Sequence, residues 1–172
     1  MKVVIDTNVP VVANGKSKQA SPECIRNCAN RLNEVTHSGK LVLDDKWLIL
    51  QEYQNNLRST GQPGVGDAFL KWVLTNYANP QRCEIVSITQ KNSDQTDFVE
   101  FPSNLAIEDF DKDDRKFVAV ALAHPDKPHI EQAVDVQWWQ LKDQFHKLGI
   151  AIDFLCERDI AKILRHREER SR

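Results

Sequence analysis

The chain has 172 residues, 41% of them hydrophobic and 28% charged, with a formal net charge of -2. These values fit one globular domain with a sizeable core, and they exclude a global basic field for recruiting nucleic acid; such binding needs a local patch. The N-terminus reaches an acid at Asp6 and the longest apolar run is Phe117 to Ala123. Neither a secretory signal nor a membrane span is predicted, and a soluble, cytoplasmic protein is expected.

Val3, Val4 and Ile5 form a short β-branched run that reads as a buried strand, ended by Asp6-Thr7-Asn8. Taken alone, that ending is equally well an Asx-type turn. Asn14-Gly15 marks a turn, and Ser21-Pro22 predicts an N-cap with proline at the first helical position. Ile25, Cys28, Leu32 and Val35 recur at helical spacing until Gly39 stops the helix. Leu41 to Leu43 is a second strand ending in acid, at Asp44-Asp45. The next helix is expected to carry Trp47, Leu50, Tyr53 and Leu57 on one face. Glu52 lies on another stripe with Leu48, leaning back toward the end of the second strand.

Gly61 to Gly66 is glycine-rich and reads first as a turn, with an anion-binding nest of backbone amides as the alternative. A helix follows over 67–77, then a third strand over 84–88. Gln90 to Asn104 reads as a polar loop or mobile flap. Glu108, Asp109, Asp111, Asp113 and Asp114 then crowd together before an apolar run. Alanines and an acidic lead-in predict a helix starting at Asp113-Asp114. Capping accounts for one or two of these acids but not for five. A weaker strand over 130–134 ends at Asp135. A helix with Trp138, Leu141, Phe145 and Leu148 inward follows, then a strand over 150–155 and a helix over 159–170. The basic cluster Arg165, His166, Arg167, Arg170 and Arg172 at its end reads by default as a solvated tail.

The cysteines, Cys24, Cys28, Cys83 and Cys156, are expected to be structural thiols; neither a zinc site nor a disulfide is expected. Strands alternating with helices imply an α/β fold: a parallel central sheet with helices on both faces. The acids that end its strands then converge on one rim. Asp6, Glu52, Asp114 and Asp135 each fall there, and gathered carboxylates call for protonation or a hard divalent cation. With no matching His or Cys set, Mg²⁺ or Mn²⁺ is expected rather than zinc.

Val3 to Asn8, a Glu on the helix after the second strand, Asp113-Asp114-Arg115-Lys116-Phe117, and Asp135 followed by Gln137-Trp138 together resemble the PIN-domain nucleases, over nearly the whole chain. The resemblance implies a single PIN-like domain, 1–172, and a metal-dependent endoribonuclease. It matches Asp6, Glu52, Asp114 and Asp135 to that family's four acids, catalytic and metal-binding. Asn8 matches a supporting polar residue, and Thr7 would help orient Asp6 or a bound water. Gln137 stands where many members carry a further acid, which predicts a weakened second metal position. Arg115, Lys116 and the basic end 165–172 are candidates for meeting RNA phosphates. The resemblance also implies a protein partner, such as the antitoxin of a toxin-antitoxin pair, or work in RNA processing, and leaves a homodimer open. Two rival readings stand beside it: a phosphatase with Asp6 as nucleophile, and a non-catalytic binding or regulatory module.

Overall fold

The computed structural model describes residues 1–91 and 93–171. The strands in chain order are β1 (Lys2–Ile5), β2 (Lys40–Asp44), β3 (Cys83–Val86), β4 (Gln90–Lys91), β5 (Asp94–Phe98), β6 (His129–Gln132) and β7 (Ile152–Phe154). Five of them form the parallel central sheet, in the spatial order β3-β2-β1-β6-β7. The α-helices are α1 (Asn8–Ala13), α2 (Pro22–Ser38), α3 (Leu48–Asn56), α4 (Val65–Asn76), α5 (Arg115–Ala123), α6 (Val136–Lys147) and α7 (Glu157–Arg170), and they cover both faces of the sheet. Among the described residues no helix is long and apolar enough to cross a membrane.

The central strands are buried on both sides, so they read as continuous apolar runs. Val3, Val4, Ile5, Leu41, Val42 and Leu43 are all inaccessible. Helix α5 lies over β1, β2 and β6 and is buried almost all round, as an alanine-rich apolar helix at the centre of a domain must be. Helix α2 begins and ends as its sequence predicts. The Ser21 hydroxyl accepts from the Cys24 amide at 3.2 Å, Pro22 opens the helix, and the Gly39 amide closes it on Val35. At Gly39 a side chain would meet the Val35 backbone at 2.9 Å.

The fold departs from the sequence expectations in four places and closes one alternative. Residues 8–13 form a helix, α1, where only a turn is predicted. The Asx-type contact is nevertheless present, since the Asn8 amide donates to Asp6 Oδ1 at 2.8 Å. Trp47 is not on the inward face of α3. It is 61% exposed, precedes the helix with φ 65° and packs edge-on against Tyr77. The Asp44 carboxylate takes the Lys46, Leu48 and Ile49 amides at 2.8–3.0 Å, so the acid ending β2 starts α3 and leaves the tryptophan outside.

Residues 90–98 are not loop but carry the antiparallel pair β4–β5; Asn92 lies outside the described residues. The anion-nest alternative at the glycine-rich stretch also falls. Asn14 Oδ1 already accepts the Gly66 and Asp67 amides at 2.8 and 3.2 Å, and a Cβ at Gly66 would sit 2.0 Å from the Pro10 carbonyl. The glycine there permits close packing of α4 on α1.

The last departure concerns the thiols. Cys24 and Cys156 are joined by a disulfide across 132 residues, linking α2 to the residue before α7. Cys28 and Cys83 are free and buried, as expected. A pairing this distant in sequence leaves no local spacing from which to predict it. Arg172, counted in the terminal basic cluster, lies outside the described residues.

Candidate active site

Strand order reverses between β1 and β6: from β1 the chain moves outward one way through β2 and β3, then returns to the other side. Such a switch opens a crevice beyond the carboxyl ends of the strands. Pairing extends one residue past β1, with the Asp6 amide bonded to the Glu131 carbonyl at 3.0 Å. Asp6 therefore stands at the crevice on a rigid strand end. The Tyr53 hydroxyl, buried inside α3, donates to the carbonyl of Ile5 just before it. Asn8 fixes the far side of the crevice: its side chain donates to Gln132 Oε1 and accepts from the Ala133 amide at 2.9 Å.

The other acids arrive on three separate helices. Asp114 precedes α5, and its Oδ2 accepts from Trp138 Nε1 at 3.2 Å. Trp138 is held in turn by Phe110 and Phe145, with ring centroids 4.8 and 5.4 Å away. Asp135 is the N-cap of α6, where its Oδ1 accepts the amides of Gln137 and Trp138 at 2.7 and 3.2 Å. Glu52 projects from α3 and forms an ion pair with Lys116, whose ammonium also donates to the Asp113 carbonyl.

A common pattern joins the four. Asp6, Asp114 and Asp135 each commit one oxygen to an N–H donor, and Glu52 commits one to Lys116. The second oxygen of each has no hydrogen bond among the described residues. Burial first, then Asp114, Glu52 and Asp135, push the Asp6 carboxyl well above the usual range. Burial first, then Asp135, Glu52 and Asp111, push Asp114 up to about 7, against the pull of Lys116. The carboxylates therefore feel one another, and among the described residues Lys116 is the cation paired with the set. Thr7, next to Asp6, has a buried hydroxyl with no hydrogen-bond partner among the described residues. The four carboxylates repel one another without closing into a ready ligand shell: among the described residues no three of them bring an oxygen each within 4.8 Å of one another, so a hard divalent cation would be held in part through its waters. The donors are all oxygen, which suits Mg²⁺ or Mn²⁺.

Other expected site residues lie elsewhere. Gln137 turns away from the acids: its Oε1 accepts from the Asp111 amide and its Nε2 donates to the Asp109 carbonyl, both at 3.2 Å. Arg115 is buried beneath the same loop. It donates to the Glu108 carbonyl at 2.6 Å, pairs with Asp97 at 3.1 Å and lies over the Phe101 ring. These partners leave it structural rather than facing substrate, whereas Lys116 is at the site. The acidic run thus divides its work. Asp114 enters the site, Asp111 caps the short 3-10 turn Lys112–Asp114, and the backbone around residues 108–111 anchors Arg115 and Gln137. Trp138 and Gln132 contribute to the site although neither is marked in the sequence: Trp138 falls on the apolar stripe of its helix, and Gln132 follows Glu131 in a short strand that is already mostly polar.

Compared with family models, curated proteins and solved structures, the chain shows no match.

Proposed function

We propose that this protein is a PIN-like endoribonuclease that hydrolyses RNA phosphodiester bonds at a carboxylate-held Mg²⁺ or Mn²⁺; the expected cytoplasmic location loses support from the Cys24–Cys156 disulfide, a link rare in that compartment. The observation that carries the reading is that Asp6, Glu52, Asp114 and Asp135, from four separate segments, lie close enough for their charges to push the Asp6 and Asp114 carboxyls up, each acid with one oxygen free of protein hydrogen bonds among the described residues. A structural rim has no use for that repulsion. The phosphatase reading fares worse, because it expects a second acid two residues after Asp6. That position is Asn8, and both ends of its amide are engaged by Gln132 and Ala133.

Hydrolysis adds a water hydroxyl to phosphorus, breaks one phosphorus–oxygen bond and delivers a proton to the leaving oxygen. A divalent cation bound here supplies Lewis acidity and a more acidic water. Asp6 and Asp114 would hold it directly, with Glu52 and Asp135 direct or through water. The Asn8 amide and the Trp138 indole aim the first two carboxylates, and the α6 N-terminus aims Asp135. Lys116 is the positive charge beside them that can meet a phosphate oxygen, and the Thr7 hydroxyl can orient water. The toxin-antitoxin role, a protein partner and a homodimer rest on the family resemblance alone.

Incubation with RNA and DNA panels, with and without Mn²⁺, followed by analysis of the product ends, tests this. Cleavage of RNA only in the presence of the ion is expected, with loss in both Asp6→Asn and Asp114→Asn. Near wild-type cleavage by either variant overturns the assignment.

A further inference from the structure

Beside the acids, between α3 and β5, runs a groove of about 470 Å³. That volume is in the range of small-molecule pockets. Glu52 and Lys116 line it, so it is continuous with the site. Its walls carry the primary amides of Gln51 and Asn55 from α3 and of Gln95 from the facing strand. Gln51 and Asn55 are one helical turn apart, on a common stripe with Leu48. All three amides are exposed, and none of their side chains makes a hydrogen bond among the described residues. Neighbouring Asn56, by contrast, donates to the Glu52 carbonyl at 2.9 Å.

The charges in this groove are balanced. Glu52 pairs with Lys116, and Asp113 and Lys112 add one of each sign. A groove of that kind does not select a charged ligand. It offers paired donors and acceptors, which is what an amide presents to the edge of a base. We propose that this groove binds an unpaired nucleobase of the strand being cut, next to the scissile phosphate, and that Gln51, Asn55 and Gln95 read its edge. The base is unpaired because a duplex hides the edges that amides read, and splayed bases are how proteins read RNA sequence. This rests on the nuclease reading for the identity of the strand.

The test uses the full chain in an Asp6→Asn background, so that the strand stays intact, and short homopolymer RNAs of A, C, G and U. One homopolymer is expected to bind about tenfold more tightly than the weakest, the size of one good amide–base pair. Adding Gln51→Ala and Asn55→Ala, both exposed helix positions, should abolish that preference while leaving thermal unfolding unchanged. Equal binding of all four polymers, or an unchanged preference in the triple variant, overturns the proposal. Sequencing the cleavage ends of a randomised RNA with otherwise wild-type protein reads the site separately. Base preference in binding with no cleavage would sustain the groove and remove the nuclease reading. Cleavage with no base bias at the flanking positions would do the reverse.

Discussion

Asp114 sits where burial and neighbouring acids oppose its charge. Its carboxyl is pushed up to about 7, while an unfolded Asp titrates near about 3.9. Between those values the folded chain holds a proton that the unfolded chain releases, so stability falls as pH rises through the window. Asp6, shifted the same way, adds to the slope. Asp114→Asn removes one contributor. Thermal unfolding in chelator should show a shallower pH dependence and, near neutral pH, a Tm several degrees above wild type; about 1 kcal/mol moves a domain of this size about 2–4 °C. A lower Tm with the wild-type slope would contradict the repulsion. Gln137 gives the opposite expectation. Its two hydrogen bonds hold the 109–111 backbone, not the acids. Gln137→Ala should therefore lower stability by about 1 kcal/mol in denaturant titration and leave Mn²⁺ affinity unchanged. Weakened ion binding in that variant would return Gln137 to the site.

At the scale of elements, legibility followed local chemistry. Helix α2 is readable because Ser21, Pro22 and Gly39 bracket an apolar stripe, and the structure uses all three. Helix α1 is six residues long, holds Pro10 and three valines, and has neither an acidic first turn nor a basic last one, so its helical state comes from packing against α2 and α4. The disulfide is another tertiary fact. Reducing Cys24–Cys156 should lower stability by about 2–4 kcal/mol, measured by unfolding with and without a thiol reductant. An unchanged midpoint would show that the link does not constrain the unfolded chain. Helix α7 carries a separate basic patch. Lys18, Lys162, His166, Arg167 and Arg170 line a cavity of about 470 Å³ beside the start of α2. If RNA phosphates lie there, Arg167→Ala with Arg170→Ala should reduce the slope of log affinity against log salt by about 0.7 for each phosphate no longer neutralised. The wild-type slope in that variant would leave α7 a solvated helix.

For the whole molecule, the candidate site was legible to the extent that it follows from topology. In a parallel sheet the carboxyl ends of the strands share one rim, so Asp6 and Asp135 had to approach each other once β1 and β6 paired. The run from Glu108 to Asp114 could not be divided in advance, because capping, anchoring and ligation all favour the same residue type. Arg115 was misplaced for a related reason: its sequence neighbours Asp114 and Lys116 face the acids, while the helix turns it under the loop onto Phe101. The most direct test of the gathered carboxylates is calorimetric titration of the wild-type chain with Mn²⁺ near neutral pH, alongside Asp6→Asn and Asp114→Asn. Saturable binding in the wild type and its loss in both variants is the predicted result. No binding in the wild type, or undiminished binding in the variants, would contradict it.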